Sequence, residues 1–273
     1  MSPEPLRRTS APVPTLFDMK QRALRRERAA RIGSGPFLVD RAFEDCLDRI
    51  ALSERRFDRA LLIGSLDVSW PRRLEQWANH VDVRDPAAAL ALKAGGVVVV
   101  EDDWEAPADS YDLVLAVGTL DTVSNLPLAL HLIRHAMRAD SLLIGAMSGG
   151  HTLPVLRGSL RAADLVSGAA APHVHPRVEA AALAPLLQQA GFIDPVIDVD
   201  RVQVSYRSLD RLVADLRAMA ATNVLTDRPR FIGKAARSAA RQAFADAGRE
   251  GRTVETFEIL HFAAWTPKQL KAR

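Results

Sequence analysis

Residues 61–68, Leu-Leu-Ile-Gly-Ser-Leu-Asp-Val, lie where an α/β protein of this pattern would bind a nucleotide-type cofactor. Such a turn needs glycines, because its backbone amides must approach the ligand closely. Gly64 and the adjacent Ser65 fit this requirement, whereas the β-branched Val68 stands where a second glycine is usual. The turn therefore predicts a cofactor site whose most demanding stretch is altered.

The histidines predict no metal site. Two closely spaced pairs occur, His131 with His135 and His173 with His175, but neither has a third ligand or a glutamate-rich helix motif beside it. His151 follows two glycines on the expected ligand side and is the histidine to test. The sequence also has no Walker loop, no Gly-x-Ser-x-Gly elbow and no cysteine pair.

The elements that must position these residues alternate between short apolar runs and helical stretches. The predicted strands are 60–63, 81–83, 97–100, 113–117 and 142–146, with helices at 72–78, 87–93 and 126–137. This alternation specifies a parallel sheet, and the apolar run 96–100 is typical of a strand buried on both faces. Because ligands bind beyond the carboxyl ends of such strands, we expect functional loops after Ile63, Val83, Val100, Val117 and Ala146.

The second half of the chain has a different pattern. Besides a helix near 37–52, which precedes the first predicted strand, we predict helices near 152–166, 179–190, 208–219 and 232–247 in this half, and long antiparallel strands at 196–206 and 253–265. The sheet would then end in an antiparallel pair, with residues 208–252 as a helical insertion over the ligand face. The predicted organisation is a basic N-terminal arm at 1–34 followed by one α/β domain at 35–273.

The positive charge is concentrated in the arm. Residues 1–31 contain eight Lys/Arg against three Asp/Glu, while the whole chain has a net charge of only +3. One interpretation is a helix over 17–32 that packs Leu16, Phe17 and Leu24 on the core with its arginines solvated. The other is an arm that contacts an anionic membrane surface, RNA or an acidic protein. Four prolines in the first 15 residues predict a mobile tail.

The cellular location is predicted from features that the sequence lacks. It contains no apolar stretch of membrane length, no signal-type apolar region and a single cysteine, Cys46, which we expect to be a buried helix residue. The Arg-rich start resembles a transit peptide, but the acidic residues inside it argue against one. We therefore expect a cytoplasmic protein.

Several short motifs along the chain resemble those of one family. They are Leu16-Phe17-Asp18 with the Arg-rich helix to Ala30, Arg55-Arg56-Phe57, Tyr111 to Pro127, Gly149-Gly150, Asp215-Leu216-Arg217 with Thr222-Asn223, and Thr256-Phe257-Glu258 to Trp265. Together they resemble the class I S-adenosylmethionine (SAM) methyltransferase-like proteins. Within that family they are similar to malonyl-carrier-protein methyltransferase of biotin synthesis, and especially to bacterial relatives of a respiratory complex I assembly factor described as an arginine hydroxylase.

The resemblance implies a Rossmann-like sheet of seven mostly parallel strands with an antiparallel edge pair, and SAM as cofactor. It implies that Asp85 accepts the ribose hydroxyls, although an Asp before Pro86 could equally cap a helix. It implies that Asp102 binds the adenine amino group, with a solvated acidic loop as the alternative. Gly64, Ser65 and Val117 are implied to line the cofactor.

Departures from the family keep two functions open. Leu62 stands where an acid would anchor the SAM amino group, Val68 replaces a glycine, and Asp121-Thr122 replace a His-Trp pair beside the reactive end. The first function is a SAM-dependent methyltransferase that acts on a protein or carrier-protein partner and holds the methionine end of SAM poorly. The alternative is a non-catalytic, or hydroxylating, respiratory complex assembly factor. No catalytic residue and no nucleic-acid partner are predicted.

Overall fold

The structure, a computed structural model, describes residues 15–33, 35–229 and 231–268. The helices are α1 (Met19–Ile32), α2 (Phe37–Leu52), α3 (Trp70–Leu74), α4 (Ala88–Lys93), α5 (Leu126–Ala136), α6 (Pro154–Ser167), α7 (Ala180–Gln189), α8 (Leu209–Ala218) and α9 (Lys234–Asp246). The strands are β1 (Phe57–Ile63), β2 (Ala78–Asp85), β3 (Val97–Val98), β4 (Tyr111–Val117), β5 (Met137–Ser148), β6 (Ile193–Tyr206) and β7 (Thr253–Trp265). The predicted tail falls almost wholly outside the described residues.

The strands form one seven-stranded sheet in the order β3-β2-β1-β4-β5-β7-β6. Strands β1 to β5 pair in parallel, and β7 pairs antiparallel with both β5 and β6. The predicted Rossmann-like fold with its antiparallel edge pair is confirmed. Ile63 lies beside Arg84 on one side and Ala116 on the other, so β1, β2 and β4 end level and the loops that follow them meet.

Each face of the sheet packs a layer of helices. Leu62 contributes to the core on one face, while Leu61 and Ile63 contribute to the core on the other, because successive strand residues point to opposite faces. Phe43 of α2 stacks on Trp70 of α3 with ring centroids 4.2 Å apart. No helix within the described ranges has the length and apolar character needed to cross a bilayer.

Strand β3 corrects one expectation. The run 96–100 was predicted as a strand buried on both faces, but β3 is two residues long and lies at the edge of the sheet. Val97 and Val98 are 54% and 50% exposed. The apolar run does not itself show how many strands lie beside it, so the pattern did not reveal that β3 has a neighbouring strand on one side only.

The N-terminal helix corrects a second expectation. Phe17 is buried as predicted, but Leu24 is 43% exposed, while Arg22 and Arg26 are each only 3% exposed. The interpretation in which α1 packs Leu24 inward and solvates its arginines is therefore wrong. The helix is rotated so that two of its arginines face the carboxyl ends of the strands, where buried carboxylates compensate their charge.

Candidate functional site

The turn after β1 lies at the meeting point of the level strand ends. Gly64 has a φ of 87°, a conformation that favours glycine, and its amide donates to the carbonyl of Arg84. Ser65 is fully buried. Leu62, in the position where the family has an acid, belongs to the apolar core, and Val68 is exposed. The turn therefore contains no carboxylate in the position that would hold a SAM amino group.

Asp85, at the end of β2, is completely buried and has four hydrogen bonds. One carboxylate oxygen accepts from Arg26 Nε at 3.0 Å and from the Ala87 amide at 2.8 Å. The other accepts from Arg26 Nη2 at 2.6 Å and from the Ser65 amide at 2.8 Å. The oxygens that would receive ribose hydroxyls are thus already occupied, half by backbone amides and half by the guanidinium of α1.

A second arginine of α1 binds a second buried carboxylate. Arg22 forms a two-pronged ion pair with Glu101, with both N–O distances 2.7 Å, and also donates to the carbonyl of Thr119 at 2.7 Å. Burial disfavours the charge of Arg22, but the attraction and hydrogen bonds of Glu101, with the charges of Asp121 and Asp85, together outweigh it and raise the pKa of the guanidinium. We refer to Arg22–Glu101 and Arg26–Asp85 as the α1 ion pairs.

Glu101 rather than Asp102 is the buried acid after β3. The Asp102 carboxylate accepts from the amide of Asn125 at 2.8 Å, the residue that caps α5, so it organises a helix start. Sequence reasoning missed Glu101 because three acids occur in a row there and only the fold shows which one points inward. It missed Arg22 and Arg26 because an arginine-rich helix is usually solvated.

The space above the glycine turn is filled. A Cβ added to Gly64 would lie 2.4 Å from Thr119 Cγ2, 2.8 Å from the carbonyl oxygen of Val117 and 3.5 Å from Arg26 Nη2. Val117 is itself buried at the end of β4. The loop after β4 and helix α1 together occupy the volume in which a cofactor would contact the turn. Cofactor binding by Gly64, Ser65, Asp85, Asp102 and Val117 stays a prediction.

These residues do not fit SAM as they are arranged here. A ribose would meet the Arg26 guanidinium in place of open carboxylate oxygens, and the adenine side of the cleft is occupied by Arg22 on Glu101. Admitting SAM requires both arginines to leave and α1 to move with them. No reaction step is therefore assigned to SAM in this arrangement.

A third buried charged group stands where the family has His-Trp. Asp121 pairs with Arg177 Nη1. Burial alone would raise the pKa of Asp121, but the charges of Arg177 and Arg22 lower it. His175 is buried, and its Nε2 accepts from the amide of Val224 at 2.9 Å, which places the proton of the neutral ring on Nδ1.

Burial is also the main cause of the low basicity of His175. Together with the positive charge of Arg177, it lowers the His175 pKa from 6.5 to about 4. The ring is therefore neutral at physiological pH and acts as a hydrogen-bond acceptor. Sequence reasoning assigned His175 no role beyond a pair that predicts no metal site, and its position against Phe17, 5.3 Å between ring centroids, shows that it anchors the start of α1.

Arg177 also lines a small apolar cavity of about 70 Å³ below this group. Leu38, Val117, Met147, Phe257 and Ile259 are among its walls. Elsewhere, His173 Nε2 lies 2.6 Å from Asp164, and the exposed His151 lies 3.9 Å from Glu179. Across the described residues no three His, Cys, Asp or Glu side chains are grouped to hold a metal ion.

Comparison with known proteins finds homologues in two groups. The chain is 34% identical over 168 residues to the mitochondrial arginine-hydroxylase NDUFAF5 of Danio rerio, covering 60% of this chain and 52% of that protein. It is 32% identical over 170 residues to the malonyl-[acyl-carrier protein] O-methyltransferase of Laribacter hongkongensis, covering 59% and 56%. The chain thus spans about half the length of the curated relatives it matches. No family model matches.

Solved structures agree on the fold. A SAM-dependent methyltransferase of Thermotoga maritima superposes with a TM-score of 0.51 at 13% identity, covering 89% of this chain and 99% of that one. At such low identity the likeness establishes architecture alone. The resemblance found in the sequence motifs is confirmed by the homologues, and the sheet is that of a class I methyltransferase.

Proposed function

We propose that this chain, a homologue of the arginine-hydroxylase and malonyl-carrier-protein methyltransferase proteins with a class I methyltransferase fold, binds a protein partner without transferring a methyl group. The α1 ion pairs carry this proposal. They neutralise, inside the protein, Asp85, the acid that a SAM-dependent enzyme would leave open to the ribose, and Glu101, the neighbour of the predicted adenine acid Asp102. A domain that no longer binds its cofactor still has a surface that can bind a partner protein, and an assembly factor acts through such contacts.

The energetic argument concerns what SAM would have to displace. Separating one partner from a buried ion pair costs about 3–5 kcal/mol, because the remaining charge stays buried without compensation. At about 1.4 kcal/mol per tenfold change, that penalty alone weakens SAM binding by about a hundred-fold to a few thousand-fold. The Leu62 and Val68 substitutions act at the other end of the cofactor and add to this loss.

Methyl transfer to a protein or carrier protein is the second candidate. One observation favours it: Asp85 is held by the backbone amides of Ser65 and Ala87, so its carboxylate would remain in place if Arg26 moved away. In that case the ribose hydroxyls would replace the guanidinium. A partner that pulls α1 off the domain could produce such a state.

The location and the basic arm also belong to the proposal. We place the chain in the cytoplasm, although the arginine-hydroxylase relatives are named as mitochondrial. The arginines of α1 that do not enter the core are available to contact an anionic membrane. Arg31, in the last turn, is one of these and is exposed.

Ligand-induced stabilisation tests the loss of the cofactor. Melting of the wild-type protein is measured with SAM and with S-adenosylhomocysteine up to about 1 mM, a concentration that reveals even weak ligands through their stabilisation of the folded state. We expect no shift. A shift that disappears in Asp85→Ala would overturn the proposal and establish the methyltransferase candidate. The Thermotoga methyltransferase serves as positive control.

A further inference from the structure

A basic groove lies on the side of the molecule where α1, α6, α8 and α9 meet. It encloses about 530 Å³ and continues into a second depression with which it shares several walls. Its floor is apolar, formed in part by Leu160 of α6, Val213 of α8 and Ile232. Phe231, at the rim, is 77% exposed, which is unusual for an aromatic side chain.

The charged walls of this groove are almost all arginine. Arg25 and Arg28 come from α1, Arg217 from α8 and Arg237 from α9, and we call these four residues with their apolar floor the arginine groove. None of the four pairs with a carboxylate of the described residues. By contrast, the neighbouring Arg241 pairs with Asp210.

Arg25 and Arg28, unlike Arg22 and Arg26 of the same helix, have buried Nε atoms that the described part of the fold leaves without a partner. The Nε groups of Arg25 and Arg28 are buried and have no hydrogen-bond partner among the described residues, although Arg28 Nη2 donates to Thr222 at 3.0 Å. Partial burial, followed by repulsion from Arg25, Arg217 and Arg31, lowers the Arg28 pKa. The groove thus concentrates like charges that the fold itself does not compensate.

We propose that the arginine groove binds an acidic segment of a partner protein, with carboxylates on the four arginines and apolar side chains against Phe231 and the floor. This inference deepens the proposed function and rests on it, because it specifies the partner that a non-catalytic scaffold would hold. Charge complementarity selects the acidic residues, since planar guanidinium groups bind carboxylates in two-pronged geometry.

The apolar floor favours a protein segment over a nucleic acid. Phosphates could satisfy the arginines, but they would leave the aliphatic side chains of Leu160, Val213 and Ile232 facing water or sugar. An amphipathic acidic peptide satisfies the charged wall and the apolar floor together.

The test measures binding of a defined peptide by fluorescence anisotropy. The probe is a fluorescein-labelled peptide of repeating Glu-Glu-Leu-Leu sequence, compared with a Lys-Lys-Leu-Leu peptide, a single-stranded oligonucleotide and anionic vesicles. We expect the full chain to bind the acidic peptide, more weakly at high salt, and not the basic peptide. Stronger binding of the oligonucleotide or of vesicles than of the acidic peptide would overturn the proposal.

Matched variants locate the binding. Arg217→Glu with Arg237→Glu reverses two exposed arginines and should weaken peptide binding about ten-fold or more, because it places like charges opposite the peptide. Phe231→Ser should weaken binding about three-fold, since it removes exposed apolar contact area. The charge-matched control, Arg72→Glu with Arg207→Glu, reverses two exposed arginines outside the groove. Equal weakening by control and groove variants would contradict the groove as the site.

The two proposals fail separately. Binding of S-adenosylhomocysteine by the wild-type protein would overturn the loss of the cofactor, whatever the peptide does. Absence of peptide binding, with melting curves showing a folded protein and no cofactor binding, would overturn the groove alone.

Discussion

Replacing Arg26 with methionine tests the α1 ion pairs directly. The substitution keeps an unbranched, helix-compatible side chain but removes the two hydrogen bonds to Asp85, of 3.0 and 2.6 Å, and the compensating charge. Asp85 then keeps only the Ser65 and Ala87 amides and remains fully buried. A hydrogen bond to a charged group contributes about 1.5–3 kcal/mol, so two contribute about 3–6. This range agrees with about 3–5 kcal/mol for removing one partner of a buried pair.

The assay is urea unfolding followed by tryptophan fluorescence, because Trp70 is buried in the core and its emission will change on unfolding. We expect Arg26→Met to lower the free energy of unfolding by about 3–5 kcal/mol with an unchanged slope. Arg41→Met, the control, removes an arginine from the exposed pair with Asp200 and should lower it by less than about 1 kcal/mol. A loss below about 1 kcal/mol for Arg26→Met would refute the reasoning, because leaving the buried Asp85 carboxylate without its compensating charge should lower the free energy of unfolding by more than that.

A double variant separates charge from packing. Adding Asp85→Asn to Arg26→Met removes the uncompensated charge, although one of the two backbone amides loses its acceptor. The double variant should therefore be less destabilised than the sum of the two single variants, by at least about 1 kcal/mol. Simple additivity would mean that Arg26 and Asp85 do not interact.

Three further predictions concern other parts of the molecule. His175 has its pKa lowered from 6.5 to about 4, so the unfolded chain binds the extra proton between these values and stability falls as the pH drops through that window. The loss is about 3 kcal/mol, so the stability measured by urea unfolding should fall more steeply across this window in wild type than in His175→Gln. His175→Gln keeps the decline that comes from His261, whose pKa burial also lowers, and from Asp121, whose pKa is lowered because Arg177 and Arg22 outweigh its burial. Gly64→Ala places a methyl group 2.4 Å from a neighbouring atom at a positive φ, and should lower the free energy of unfolding by about 2–5 kcal/mol. The control Gly95→Ala, at φ 70° but with open space around it, should lower it by only about 1–3 kcal/mol. Equal shifts in melting temperature for the two variants would contradict the filled cleft. Cys46, whose pKa burial raises, should react with a thiol reagent only after unfolding, and rapid labelling of the native protein would contradict its burial.

The sequence patterns predicted the scaffold well because its signals are local. Helix 37–52 matches α2, and the two long antiparallel strands overlap β6 and β7 over most of their length. Such elements are determined by residues close together in sequence: by the periodicity of the apolar residues and, for α8, by the cap residue Ser208. The prediction for the short edge strand β3 was wrong because the position of a strand in the sheet depends on strands that are far away in sequence.

The site was less predictable because its charges pair over long distances. Arg26 is 59 positions from Asp85, and Arg22 is 79 positions from Glu101, so no local pattern links them. Composition made the arginines look solvated, and three consecutive acids concealed the one that is buried. Asp121 pairs with Arg177 across 56 positions in the same way. The altered turn at Val68 was visible from the start, but not the helix that fills the cleft above the turn.

The most direct test of the account is an isothermal titration of the wild-type protein with S-adenosylhomocysteine, which needs no acceptor substrate. The account predicts no measurable binding at about 1 mM ligand, because Arg26 and Arg22 occupy the strand-end acids. A dissociation constant below about 100 µM for the wild type, lost in Asp85→Ala, would contradict the account and show that α1 yields to the cofactor.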